Sequence, residues 1–337
     1  MADPDAHHRM KAAYTERYGP PEVVEIRDVE RPTPTEGQVL VRVHAASVNR
    51  ADLDGLKPKP GFVRPFMGLR APRNHEVGID AAGVVEEVGP GVTRFKPGDE
   101  VMTDLFAGGR FGAFAEYVCA KEKAFEPIPD GMSFEEAATL PHSAVLALQG
   151  MRLRDGRTFM PGDEVLIDGA SGNVGPFAVQ IAKAMGAEVT GVASGDKLDF
   201  VRSLGADHAI DYETADYTKA GKQYDWIVAV DAHHSIRAAR RALKPKGVYL
   251  TMGGDTGTIF AAMGGSLFMS RFGDRWSGLM LWWKPMHRPD IETLKELIAA
   301  GKVKPVIDRR YPLDQVVEAL RWVEDGKARG KVVITFG

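Results

Sequence analysis

Apolar residues are spaced in two different ways along this chain. From about Ala12 to Gly131 they come in short strand-length runs (QVLVRVHAASV, AAGVVEEVG, GDEVMT, GAFAEYVCA) separated by Pro, Gly and Asp. That spacing predicts a β-rich region closed by turns. From about Phe134 the pattern alternates strand and helix, through EVLIDGA, PFAVQIAKAMG, EVTGVAS, KLDFVRSLGA, HAIDY, DWIVAVD, IRAARRALKPKG and VYLTMGG. Strand, helix, strand at this pace predicts a parallel sheet wrapped by helices. The tail from Asp290 carries two amphipathic helices, DIETLKELIAAG and LDQVVEALRWVEDG, and a last strand, KVVITF. No internal repeat or low-complexity stretch interrupts this order.

Length and composition narrow the class. With 337 residues, two domains are expected rather than one core, and 44% hydrophobic with 26% charged residues is the balance of an enzyme-like globular chain. Lys and Arg number 43 against 46 Asp and Glu, a net charge of -3, so no nucleic-acid partner is expected. Cys119 is the only cysteine, which excludes an internal disulfide and suits a reducing, cytoplasmic setting. Apolar runs such as GLMLWW fall far short of the roughly 18 residues that span a bilayer, so no membrane partner is expected. The opening MADPDAHHRMKAAY reads as a short disordered extension rather than a signal peptide.

The most specific local signal is DEVLIDGASGNVGPFAVQIAKAMGAEVTGVASGDK, Asp163 to Lys197. A buried strand runs into Ala170, Ser171, Gly172, Asn173, Val174 and Gly175, which open a helix ending at Gly186 before a second strand. A dinucleotide pyrophosphate needs that order: glycines let the backbone approach the phosphates, and a helix start offers free N–H groups and a favourable dipole. Ala170 replaces the first Gly of G-x-G-x-x-G, so the strand–turn–helix–strand context carries the assignment. Where NAD sites place an acid at the end of the second strand, this chain has Ala193, Ser194 and Gly195. Ser194 and then Lys197 suit a 2′-phosphate, so NADPH is expected ahead of NADH, although Ser194 or Asp196 serves equally well as a helix cap. Gly253 and Gly254, after a later strand, also allow close approach to a cofactor.

The segment RNHEVGIDAAGVVEEVG, Arg73 to Gly89, sets His75 beside Glu76 and raises the question of a metal ligand. GIDAAGVVEEVGPGVTRFKPGDEV, together with GPPEVVEIRDVERPTPTEGQVLVRVHAASVNRAD, GAFAEYV, EEAATLP, GASGNVGPFAVQIAKAMGAEV, LGADHAIDY and GKVVITF, resembles the medium-chain dehydrogenase/reductase superfamily from Met10 to Phe336. Within it the chain is most similar to zinc-free quinone oxidoreductase-like members. The resemblance implies an α/β fold: a GroES-like β-rich domain from residues 1–138 and 290–337, with a doubly wound Rossmann domain, 139–289, inserted between. It also implies that the first zinc cysteine maps near Asn49, the Gly-His-Glu ligand slot to Gly78, Ile79 and Asp80, and a later ligand to about His142. Asn49 is a poor zinc ligand and Ile79 is none, so no catalytic zinc is expected, and a structural zinc lacks its cysteines. An improvised site from His75, His142 and an acid is the remaining metal reading. The family further implies that Lys197 and Tyr212 flank the adenosine 2′-phosphate.

Without a metal, reduction of an already electrophilic acceptor is the easier chemistry, and the resemblance implies hydride transfer from NADPH to a quinone or to the activated double bond of an enone or enoyl thioester. Candidate catalytic groups are Asn49, as an amide donor or a buried structural amide; Asp54, where relatives carry a Tyr; and His142, a proton donor near neutral pH or a helix cap. Asp231, His233 and His234 in AVDAHHSI read as a loop cap rather than a catalytic group. Pocket shape falls to the loop Leu53 to Leu69 and to the aromatic segment Ser270 to His287; the family implies that a strand in the latter joins two sheets in a homodimer, unless its tryptophans fill a core. Two rival readings are a zinc-type alcohol dehydrogenase and a non-catalytic NADPH-binding protein that senses redox state or meets a partner.

Overall fold

The computed structural model describes residues 8–58, 68–108, 111–254, 257 and 274–337. The first residues of the expected N-terminal extension, the middle of the Leu53–Leu69 loop and the start of the aromatic segment lie outside them. Among the described residues no helix is long and apolar enough to cross a membrane.

Two units divide the chain. The first contains Met1–Ser143, Lys284–Ile291 and Val306–Gly337. Its strands are β1 (Arg9–Tyr14), β2 (Glu25–Glu30), β3 (Gln38–Val48), β4 (Asp80–Val88), β5 (Glu100–Asp104), β6 (Tyr117–Lys121), β7 (Phe125–Pro127), β14 (Ile307–Pro312) and β15 (Lys331–Thr335). β1 and β2 pair by themselves, and the others form a 7-stranded sheet in the order β14-β15-β3-β4-β5-β7, with β6 also on β3. β3 is central, antiparallel to β4, β6 and β15, and so almost wholly buried. Helices α1 (Arg50–Leu56), α2 (Phe134–Ala137) and α8 (Val316–Glu324) belong to this unit. Val316, Ala319, Leu320 and Val323 form the buried stripe of α8, at the 3.6-residue period that places them on one face. They join Val41, Val43, Phe114, Phe125 and Ile334 in one core.

The second unit contains Ala144–Trp283 and Glu292–Pro305. Its strands are β8 (Glu164–Asp168), β9 (Glu188–Ala193), β10 (His208–Asp211), β11 (Tyr224–Ala229), β12 (Leu243–Thr251) and β13 (Trp276–Leu279), in the order β10-β9-β8-β11-β12-β13, all parallel. Counted from β8 this is 3-2-1-4-5-6, the doubly wound dinucleotide-binding order, with its reversal between β8 and β11. Helices α4 (Gly175–Ala184), α5 (Leu198–Ser203) and α6 (Ile236–Arg241) connect the strands, and α3 (Ser143–Gln149) leads in from the first unit.

Residues 292–305 depart from the expected boundary, which put everything after 290 in the β-rich domain. The stretch carries most of α7 (Arg288–Ala299) and belongs to the second unit. Gln180 shows the physical reason: its amide donates to the Lys304 carbonyl at 3.0 Å and accepts from the Lys304 N–H at 2.9 Å, tying this stretch to α4.

Candidate active site

At the end of β8 the chain turns through Gly169, whose φ of +84° suits a residue without a side chain. The left-handed turn residue is therefore Gly169, one position before Ala170. Ala170 itself is fully buried and gives its N–H to the Val192 carbonyl at 2.9 Å, so it shapes the turn from below. The glycines that follow differ in surroundings. A Cβ on Gly172 would find its nearest neighbour, the Gly169 carbonyl oxygen, 3.9 Å away, whereas a Cβ on Gly175 would meet that oxygen at 2.2 Å. Gly172 thus leaves room above the turn, and Gly175 lets α4 pack against it. No side chain caps the start of α4 at Val174, and Pro176 sits in the first turn. Ser171 and Val174 are buried, while Gly172 and Asn173 are half-buried. Open space, glycine backbone and an uncapped helix start fit a dinucleotide pyrophosphate.

The end of β9 adjoins the end of β10. Tyr212 gives its N–H to the Ala193 carbonyl at 3.1 Å and leaves its ring exposed, Ser194 donates its hydroxyl to Asp196 at 2.6 Å, and Lys197 is buried at the end of a single turn, Gly195–Lys197. The bond to Ala193 sets Tyr212 beside the end of β9, where Ser194 follows, with Lys197 three residues further on. At the far side of the reversal, Gly254 has a φ of +139°, and the Gly253 carbonyl accepts from Ala232 N–H at 3.2 Å and Thr251 hydroxyl at 2.7 Å.

Asp168 is a titratable group that the sequence reading passed over. Its carboxylate accepts from the Tyr217 hydroxyl at 3.3 Å, and burial pushes it up to about 7. The signal was an acid ending the apolar strand EVLID. Asp231, His233 and His234 do not form one cluster: His233 pairs with Asp231 at 3.2 Å on the exposed turn, and His234 faces Asp216 at 3.9 Å.

The first unit holds a second polar site, deeply buried. Asn49 follows β3 and caps α1, where its N–H donates to the Asp52 carboxylate at 2.7 Å and its backbone carbonyl accepts from the Asp52 N–H at 3.1 Å. The Asn49 amide is spent at both ends. Its NH2 donates to Asp80 at 2.9 Å and the Ser47 carbonyl at 3.2 Å, and its oxygen accepts from Lys331 at 2.6 Å and Ser143 at 3.0 Å. The same Asp80 oxygen accepts from the Ser47 hydroxyl at 3.3 Å and the His142 N–H at 3.4 Å, while the His142 ring nitrogen Nδ1 lies 3.1 Å from Asp104. Burial alone pulls His142 down, but the hydrogen bond and charge of Asp104, with the charge of Asp80, outweigh it and hold the imidazolium above its usual value. Burial raises Asp52 to about 8 and also raises Asp80, while it depresses Lys331. Asp54 is not part of this frame; it lies on the exposed face of α1, 3.5 Å from Arg50. The acid of α1 that does enter is Asp52, which the N-x-x-D spacing of a capping box signals. His75 is occupied elsewhere, its ring bonded to the Thr15 carbonyl at 3.0 Å and stacked on Tyr14.

Comparison with known proteins sets these sites in a family. Residues 35–130 match the family described as "Alcohol dehydrogenase GroES-like domain", and residues 204–334 match "Zinc-binding dehydrogenase". A chloroplast envelope quinone oxidoreductase homolog of Arabidopsis thaliana is 34% identical over 90% of this chain and 91% of its own. The chain belongs to the medium-chain dehydrogenase/reductase superfamily. An NADPH-dependent alkenal/one oxidoreductase of Arabidopsis thaliana is 31% identical over 99% of this chain and 81% of its own. The structure of a quinone oxidoreductase from Coxiella burnetii superposes with a TM-score of 0.85 at 28% identity, covering 98% of this chain and all of that one.

The chain has the two domains of the medium-chain dehydrogenase/reductases, of the quinone oxidoreductase-like type. Ile79 is a fully buried aliphatic, and Asn49 has no lone pair or N–H to spare. Among the described residues no three His, Cys, Asp or Glu side chains are arranged to hold a metal ion. The family's nicotinamide dinucleotide fits the turn after β8, whose open glycine and uncapped helix start suit its phosphates.

Proposed function

We propose that this protein is a zinc-independent, NADPH-dependent oxidoreductase that reduces a quinone or the activated double bond of an enone or enoyl substrate. One observation carries this reading: at the family's ligand positions Asn49 is fully committed and Ile79 is inert, while the hydrogen bond and charge of Asp104 raise the pKa of His142 against the pull of burial. Such a site lacks the Lewis acid that lowers an alcohol's pKa for oxidation and offers instead a proton for a reduced acceptor. Relatives named as quinone and alkenal/one oxidoreductases support the same direction.

When bound, the dinucleotide supplies the hydride. The chain's part is to bind and to manage a proton. The turn through Gly172 and the start of α4 accept the pyrophosphate, and Ser194, Lys197 and Tyr212 select the 2′-phosphate of NADPH over NADH. The imidazolium of His142 gives its proton to the oxygen that becomes negative as hydride arrives, and Asp104 stabilises and orients the ring throughout. The acceptor gains one hydride and one proton, and His142 regains its proton from solvent. We further propose a homodimer joined at β13, the open edge of the parallel sheet, beside which Leu281 is 70% exposed.

The test is stopped-flow oxidation of NADPH against a panel of quinones, enones, enoyl thioesters and alcohols, with and without a chelator. Reduction of a quinone or enone that the chelator does not affect is the expected outcome. Chelator-sensitive alcohol oxidation would replace this reading with the zinc-type one, and tight NADPH binding without turnover would favour a sensor.

A further inference from the structure

We propose that Lys331 is a positioning residue of this reductase: its buried ammonium is the chain's own resident cation, fixing the Asn49, Ser143 and Asp80 frame from which His142 presents its imidazole. The proposal rests on the role of His142 given above and adds to it the group that holds His142 in place.

Lys331 opens β15 and is only 1% exposed. Its three ammonium hydrogens have three acceptors: the Asn49 side-chain oxygen at 2.6 Å, the Ser143 hydroxyl at 3.0 Å and the Val48 carbonyl at 3.3 Å. Those acceptors come from the junction of β3 and α1 and from the start of α3, so one side chain from the last strand ties two segments distant in sequence to its own. The ties reach His142 from both sides. Ser143, its neighbour in the chain, is held directly; Asn49, held by Lys331, donates to the Asp80 oxygen that accepts the His142 N–H.

Charge points the same way. Asp52 from α1, Asp80 from β4 and Asp104 from β5 surround the site, and among the described residues Lys331 and His142 are the possible cations they face. Asp80 lies 4.0 Å from the ammonium, and one oxygen of Asp52 and one of Asp80 have no hydrogen-bond partner among the described residues. Stability alone is a poor reason for such an arrangement, because apolar side chains of similar volume generally serve a core as well as buried ions or better. Two of the ammonium's three donors end on residues tied to His142, Ser143 next to it in the chain and Asn49 through Asp80, and that tie is what the ammonium does for His142.

The experiment compares wild type with Lys331→Met, which keeps the length of the side chain and removes the charge and the donors. The variant is expected to fold and to bind NADPH as wild type does, while kcat for the acceptor falls about tenfold or more. The nitrogen resonances of the His142 ring, read by NMR without acceptor, are expected to shift. Lys331→Ala is expected to regain part of its lost kcat in methylammonium and none in tetramethylammonium, which has no N–H to donate. A wild-type kcat in Lys331→Met, or a fall in kcat with unmoved His142 resonances and no methylammonium rescue, would overturn the proposal. If Lys331→Met does not fold, Lys331→Gln, which removes the charge but keeps an N–H donor and leaves every partner of His142 in place, decides in the same way by shifted or unmoved His142 resonances. Should wild type reduce no quinone or enone while the resonances still shift, the functional reading falls and the positioning role stands.

Discussion

His142 carries the chemistry assigned to this site, and its behaviour follows from two carboxylates. Because Asp104 and Asp80 together hold its pKa above the ordinary value against the pull of burial, the acid form persists to higher pH than in a free histidine. Proton-limited turnover is therefore expected to be flat at low pH and to fall as pH rises through that raised value. Asp104→Asn removes the hydrogen bond and the charge, so the fall should move to lower pH in a kcat–pH profile. His142→Gln should lower kcat for an enone about a hundredfold and leave NADPH affinity intact; an unchanged rate would assign the proton to another donor. At the other site, Lys197→Ala is expected to weaken NADPH about tenfold or more and NADH much less, the loss of one charge-assisted contact to phosphate. Equal losses in titrations of the two cofactors would count against a 2′-phosphate at Lys197.

The elements that present these residues tolerate change unequally. Gly172 and Gly175 lie three residues apart in one turn, and only the second is crowded: a Cβ there would lie 2.5 Å from the Ala170 carbonyl carbon as well as against Gly169. Gly175→Ala should force α4 away from β8 at a cost of about 1–3 kcal/mol, read as a lowered Tm, and should abolish cofactor binding. Gly172→Ala meets open space and should leave Tm nearly unchanged while weakening NADPH, since the new methyl group occupies room left for phosphate. Which glycine serves packing and which serves the ligand is invisible in GASGNVG and plain in the turn. The capping box at α1 is the converse: the N-x-x-D spacing was readable, but it took the packing of β3, β4 and β15 around Asn49 to make Asp52 part of a buried charge cluster and leave Asp54 paired with Arg50.

For the whole molecule, the parallel sheet ends in β13, with Leu281 exposed just beyond. Sedimentation is expected to show a dimer at micromolar concentration, with Leu281→Lys sedimenting as a monomer of unchanged circular dichroism; a wild-type monomer would remove this interface. Apolar period and glycine placement were enough to announce the β-rich and doubly wound halves and the turn after β8, because each depends on residues near one another in the chain. The boundary at 292–305 was misplaced because a helix looks the same whichever unit it packs on, and Gln180 decides that from 124 residues away. The frame around His142 was hidden for the same reason. Its members, Asn49, Asp52, Asp80, Asp104, Ser143 and Lys331, lie scattered over most of the chain, and only sheet register brings them within hydrogen-bonding reach. Local pattern thus determined the two folds and the glycine turn after β8, whereas the electrostatics around His142, which depend on burial and on charges distant in sequence, were decided by tertiary structure alone.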